Sequence, residues 1–110
     1  MTGQGEGRRQ HPRYNVTAFV DYTGSIRFTE RVQNISLGGI CIHTPHVEKP
    51  GTVVELRVRF PDLDATFSAR GEVVWVNDRE LMDTGIKFLD LDAEHQGMLQ
   101  RYLEAVQHKK

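Results

Sequence analysis

Two short stretches carry residue types suited to gripping a small anion that bears purine bases. In Arg9-Gln10-His11-Pro12-Arg13 two guanidinium groups stand four residues apart, with Arg8 directly before them. A guanidinium fork donates two parallel hydrogen bonds to guanine O6 and N7, or to a phosphate. Pro12 stiffens the backbone between the two forks. In Asn34-Ile35-Ser36-Leu37-Gly38-Gly39, the Asn34 amide offers an acceptor and donors that suit a guanine edge. The Ser36 hydroxyl suits a phosphate or ribose oxygen. Gly38 and Gly39 admit positive φ and close approach of the backbone to a ligand.

Each stretch has a plainer reading. Basic N-terminal arms are commonly just solvated, and a polar, glycine-ended stretch between strands also makes a turn. Asn34-Ile35-Ser36 matches a glycosylation sequon, which lapses without a secretory signal. Occurring together, in this order and ahead of a run of strands, the two point to ligand binding. His43 and His46 are expected in a surface loop, because no further cysteine or histidine clusters near them, so no metal is expected. Cys41, between Ile40 and Ile42, reads as a small apolar strand residue. No nucleophile, base and orienter fall together, so no catalytic residue is assigned and an enzyme is not expected.

The elements that must position these residues are mostly strands. Residues 1 to 13 hold Gly3, Gly5, Gly7 and Pro12 without apolar periodicity, and are expected to form a flexible arm carrying the arginines. Residues 14 to 110 are expected to form the folded domain. Val16, Ala18, Val20 and Tyr22 alternate, and Thr23-Gly24 marks a turn. Ile26, Phe28 and Val32 keep a period of two, with Glu30 as the exception. Ile40 and Ile42 start another strand, and Val54, Leu56, Val58 and Phe60 alternate with unusual regularity. Phe67, Ala69, Val73 and Trp75 continue the pattern, with a bulge or bend expected at Gly71. Ile86 and Phe88 end it. From about residue 93, with Asp92 as N-cap, Met98, Leu99, Tyr102, Leu103 and Val106 share one helical face. Six or seven short antiparallel strands in a chain of 110 residues would leave exposed edges. Closure into a barrel, with the helix packed on it or across one mouth, removes them.

Composition agrees with one soluble globular domain: 38% hydrophobic and 26% charged residues. No apolar run is long enough for a membrane span, so no direct membrane insertion is expected. A single cysteine excludes an intrachain disulfide and suits a cytoplasmic location. A formal net charge of −1 argues against a nucleic-acid partner, whereas the local basic stretch at Arg8, Arg9, His11 and Arg13 suits a small anion.

Across residues 8 to about 104 the chain resembles the PilZ family. The likeness rests on Arg9 and Arg13, on Asn34, Ser36 and Gly39, and on two segments similar to the family's fifth and sixth strands. These are Gly71-Glu72-Val73-Val74-Trp75 and Gly85-Ile86-Lys87-Phe88. The resemblance implies a fold dominated by β-structure, a six-stranded antiparallel β-barrel of split-barrel type with one C-terminal α-helix. It also implies a receptor that holds cyclic di-GMP between the arginine arm and the barrel surface, without a cofactor. Trp75 falls where family members have a residue near the ligand, and is expected either to stack on a guanine or to be a core or barrel-wall tryptophan. Arg8 is expected to hold a second nucleotide, giving two per chain. The ordered arm would be read by a downstream protein. A protein-interaction module of the same fold, independent of nucleotide, is the alternative.

Overall fold

The computed structural model describes residues 14–44, 48–78 and 82–107. It contains β1 (Phe19–Thr23), β2 (Arg27–Ile35), β3 (Gly39–His43), β4 (Val53–Phe60), β5 (Ala65–Asp78), β6 (Met82–Leu89) and one helix, α1 (Ala93–Gln107). A single 3-10 turn, Pro61–Leu63, joins β4 to β5. Every pairing is antiparallel, and the strands close into a barrel in the order β1-β2-β3-β6-β5-β4. The arm expected at residues 1–13 lies outside the described residues, as does His46.

Alternation in the sequence becomes inside and outside. Along β4 the side chains of Val54, Leu56, Val58 and Phe60 are buried while Val53, Glu55 and Arg57 face solvent. Val20 and Tyr22 of β1, Ile40 and Ile42 of β3, and Phe67 and Val73 of β5 join the same core. Glu30, out of pattern in the sequence, pairs with Val20 and is half-buried in the inward series of β2. Gly71 is neither a bulge nor an outward kink. It pairs regularly with Val54 and Phe88, and a Cβ there would fall 2.5 Å from Ile86 Cγ2 and 2.8 Å from Leu56 Cδ1. The side chains of the core leave no room at that point for more than hydrogen.

Both mouths are closed. At the end where β2, β4 and β6 finish lies α1, with Leu99 and Leu103 buried and the Tyr102 ring 5.6 Å from Phe60. Asp92 caps it as expected, since the His95 backbone N–H donates to Asp92 Oδ1 at 2.8 Å. At the other end sits the buried Glu48. Its Oε2 accepts from the Tyr22 hydroxyl (2.9 Å), the Ser25 backbone N–H (2.8 Å) and the Ser25 hydroxyl (3.1 Å). Burial, and then the Glu48 carboxylate, push the Tyr22 phenol above its ordinary range. Among the described residues no helix is long and apolar enough to cross a membrane.

Candidate functional site

Strand register assigns Asn34 and Trp75 to the outer wall, whereas Ser36, in the turn after β2, is buried. Ile35, Ile40, Ile86 and Val73 form one row across β2, β3, β6 and β5, all buried in the core. The adjacent row is Asn34, Cys41, Gly85 and Trp75. Its side chains point the other way, and Trp75 is 47% exposed. Three strand spacings of about 4.8 Å put Asn34 and Trp75 roughly 14 Å apart, with a floor of small residues between them.

Two bulges frame that floor. One lies in β2 between Val32 and Asn34, the other in β5 between Val73 and Trp75, so Gln33 and Val74 are the inserted residues. A bulge kinks its strand and re-aims the neighbouring side chains. Here the kinks fall on the two strands that flank β3 and β6, at the same level. The Trp75 indole lies across Gly85, where a Cβ would come within 2.3 Å of Trp75 Cε2 and Nε1. Trp75 is therefore an outer-wall residue with an accessible ring, and not a core tryptophan.

The turn from Asn34 to Gly39 is held by its own backbone. Ser36 N–H donates to the Gly39 carbonyl at 2.9 Å, and Gly38 N–H donates to Ser36 Oγ at 3.0 Å. Phe88 N–H donates to the Gly38 carbonyl at 2.9 Å, tying the turn to β6. The positive φ expected at this turn is absent: among the described glycines it is Gly51, at 96°, that adopts it. Gly39 is required for a different reason. A Cβ there would stand 2.1 Å from the Ile86 carbonyl oxygen, so the glycine lets β3 approach β6.

The chain enters the described structure at Tyr14, one residue after Arg13. Tyr14 bridges to Ile35 through two hydrogen bonds, Tyr14 N–H to the Ile35 carbonyl (2.8 Å) and Ile35 N–H to the Tyr14 carbonyl (3.0 Å). Ile35 lies between Asn34 and Ser36, so the residue that follows Arg13 is fixed at the second motif. Arg8, Arg9 and Arg13 themselves lie outside the described residues. Neighbouring rows hold residues that the sequence did not single out for binding. Lys87 Nζ is 3.9 Å from Glu72 Oε1 beside Gly39, and His43 Nδ1 pairs with Asp83 Oδ1 beyond Cys41. His43 is thus the last residue of β3 and not a loop residue. Only pairing register, which a single sequence does not reveal, could have found these neighbours. No group of three or more metal-ligating side chains occurs among the described residues.

The PilZ domain profile matches residues 7–105 of the chain. The chain belongs to the PilZ domain family. Solved structures share the barrel and C-terminal helix of this PilZ domain. The Bacillus subtilis inhibitor of motility MotI/DgrA is 21% identical with a TM-score of 0.76, covering 94% of this chain and 52% of that one. The PilZ domain of Escherichia coli YcgR, solved with c-di-GMP, is 15% identical with a TM-score of 0.78, covering 93% of both. YcgR in complex with c-di-GMP gives 17% and 0.80, covering 93% of this chain and 47% of that one. The chain therefore spans about half the length of MotI/DgrA and of that YcgR chain. No match is found among curated protein sequences.

Proposed function

We propose that this PilZ domain is a receptor for cyclic di-GMP in second-messenger signalling, clamping the nucleotide between its arginine arm and the outer face of the barrel. The observation that carries this reading is the Tyr14–Ile35 bridge, which roots the arm beside Asn34 and Ser36. Similar domains solved with c-di-GMP, those of YcgR among them, support the choice of ligand. Arg9 and Arg13 take guanine edges or phosphates, Asn34 a guanine edge, and the exposed Trp75 ring a guanine face. Ser36, buried in the turn with its Oγ accepting from Gly38 N–H, is assigned to a phosphate or ribose oxygen. Gly38 and Gly39 keep the turn low enough for the ligand to lie against backbone.

Ordering residues 8–13 costs on the order of 6–12 kcal/mol of backbone entropy. Hydrogen bonds to charged groups return about 1.5–3 kcal/mol each, so several must form together. A dianionic dinucleotide with two guanines supplies that number. The fixed arm then presents a new surface to a downstream protein in the cytoplasm. Arg8 adds the cation that a second, stacked nucleotide needs, giving two per chain.

Calorimetric titration with cyclic di-GMP and cyclic di-AMP tests this directly. Binding of two cyclic di-GMP per chain, with weaker cyclic di-AMP, is expected, because adenine presents N6–H where guanine has O6. Equal affinities would remove the guanine-edge assignment, and one nucleotide per chain would return Arg8 to a solvated role. No binding at all would favour the nucleotide-independent interaction module.

A further inference from the structure

The wall on the other side of the barrel, built from β2, β1, β4 and the first half of β5, carries its own pattern. Pairing places Arg31, Phe19, Arg59 and Thr66 in one outward row. Thr29, Asp21, Arg57 and Ser68 form the next, and Arg27, Thr23, Glu55 and Arg70 the third. Four arginines from two distant segments, Arg27, Arg31, Arg57 and Arg59, thus share a face on a protein whose net charge is −1. Arg27, Arg31 and Arg57 are exposed and make no ion pair among the described residues. Arg59 is committed: it donates to Asp21 Oδ1 at 3.0 Å, and its guanidinium carbon lies 6.0 Å from the centre of the Phe19 ring. That hydrogen bond, with a second from Thr29, holds the Asp21 carboxyl below the usual carboxylate range, so Asp21 is already spoken for. A polar groove of about 420 Å³, lined by Asn15, Thr17, Arg31 and Gln33 among others, continues the face toward the root of the arm.

We infer that this arginine face docks an acidic, extended segment of a partner protein. Residues four apart on a strand are about 14 Å apart, so the Arg27–Arg31 spacing on β2 matches the first and third of three alternate carboxylates in an extended peptide. Arg57, two strands across from β2 and level with Thr29, reaches a further carboxylate about 10 Å away. The rows interpose threonine and serine hydroxyls, which accept and donate to a peptide's polar groups. Asp21 and Glu55, set among the arginines, repel a uniformly charged phosphate backbone but are bypassed by discrete carboxylates. A lipid surface is disfavoured because the one aromatic residue in these rows, Phe19, is half-buried beside Arg59. Because the barrel is closed, strand addition is not available, and recognition falls to side chains.

The probe is a short fluorescein-labelled peptide of alternating glutamate and threonine, followed by anisotropy with the full chain. Binding is expected to weaken steeply with salt. The Arg31→Gln/Arg57→Gln double variant should weaken it about fivefold or more, as loss of two exposed pairs implies. Lys87→Gln and Arg101→Gln, exposed on other surfaces, should leave it unchanged. The same peptide with glutamine for glutamate should not bind. Absence of binding, indifference to the double variant at an unchanged Tm, or equal binding of the glutamine peptide would overturn the inference. So would tighter binding of oligothymidylate or of phosphatidylserine vesicles. The outcome is independent of cyclic di-GMP binding, which the double variant should retain.

Discussion

Gly39 and Gly85 both lie at the candidate face, yet alanine at the two positions should differ in its cost and in its cause. At Gly39 the new Cβ meets backbone: the Ile86 carbonyl oxygen at 2.1 Å and Lys87 Cα at 2.9 Å. An ordinary carbon contact is about 3.5 Å, so β3 and β6 must part by more than ~1 Å. Ladder hydrogen bonds near 2.9 Å do not survive that displacement. Overpacking of this kind costs ~1–3 kcal/mol, and two weakened ladder bonds add ~1 kcal/mol each, so about 3 kcal/mol is a fair lower value. With an unfolding entropy of ~2.1 cal/mol/K per residue over 110 residues, the Tm should fall by about 13 °C. At Gly85 the obstruction is a half-exposed indole that can swing outward. There ~1 kcal/mol, or about 4 °C, is expected. Because Trp75 is the sole tryptophan, its emission should shift to the red in Gly85→Ala and stay unchanged in folded Gly39→Ala. Calorimetric melting and fluorescence together decide the matter. A Gly39→Ala protein with the parental Tm but no affinity for cyclic di-GMP would refute the packing account and make residue 39 a ligand contact.

Arg13→Ala should lower cyclic di-GMP affinity by about 2 kcal/mol, close to 30-fold, with an unchanged Tm; isothermal calorimetry reads the first and a thermal melt the second. Tyr22→Phe removes a donor from the buried Glu48 carboxylate and should cost about 1–2 kcal/mol in urea unfolding. Asp92→Asn keeps an N-cap but removes its charge, so its effect should depend on pH. The His95 imidazole is raised above 6.5 by its hydrogen bond to Asp92, and its contribution is complete below 6.5 and lost as pH rises through the raised value. The Asp92 carboxyl is lowered from 3.8, chiefly by the His95 backbone N–H, and its contribution is present above 3.8 and lost as pH falls through the lowered value. The stability difference between parent and Asp92→Asn should therefore be greatest between about pH 4 and 6.5, and a flat profile would dismiss the charge pairing.

Strand order and register separate what the sequence disclosed from what it did not. The period of two in Val54–Phe60 and the helical face of Leu99 and Leu103 are local signals, and both elements stand where they point. Asp92 was recognisable as an N-cap for the same reason. The bulges at Gln33 and Val74 were not, because a bulge is a relation between strands and leaves the sequence of one strand looking ordinary. Gly71 looked like a bend because glycine interrupts an alternation; its cause is the crowding of Leu56 and Ile86. Glu48, in a polar loop, gave no hint that it would plug a barrel mouth. The arginine face shares that cause, since Arg31 and Arg59 meet only through Phe19.

The barrel has two long-range seams, β1 against β4 and β3 against β6, and the candidate face straddles the second at Cys41 and Gly85. Non-local pairings of this kind form slowly, after the hairpins on either side. Asn34 and Trp75, on strands outside that seam, come to face each other only when it has closed. On the proposed reading, a partly folded chain would not bind cyclic di-GMP, which would act on the native state alone. By mass action a ligand at a hundred times its Kd adds about 2.7 kcal/mol to stability. A ligand bound across the seam as proposed would also slow the step by which the barrel comes apart, so occupancy should lengthen the lifetime of the protein.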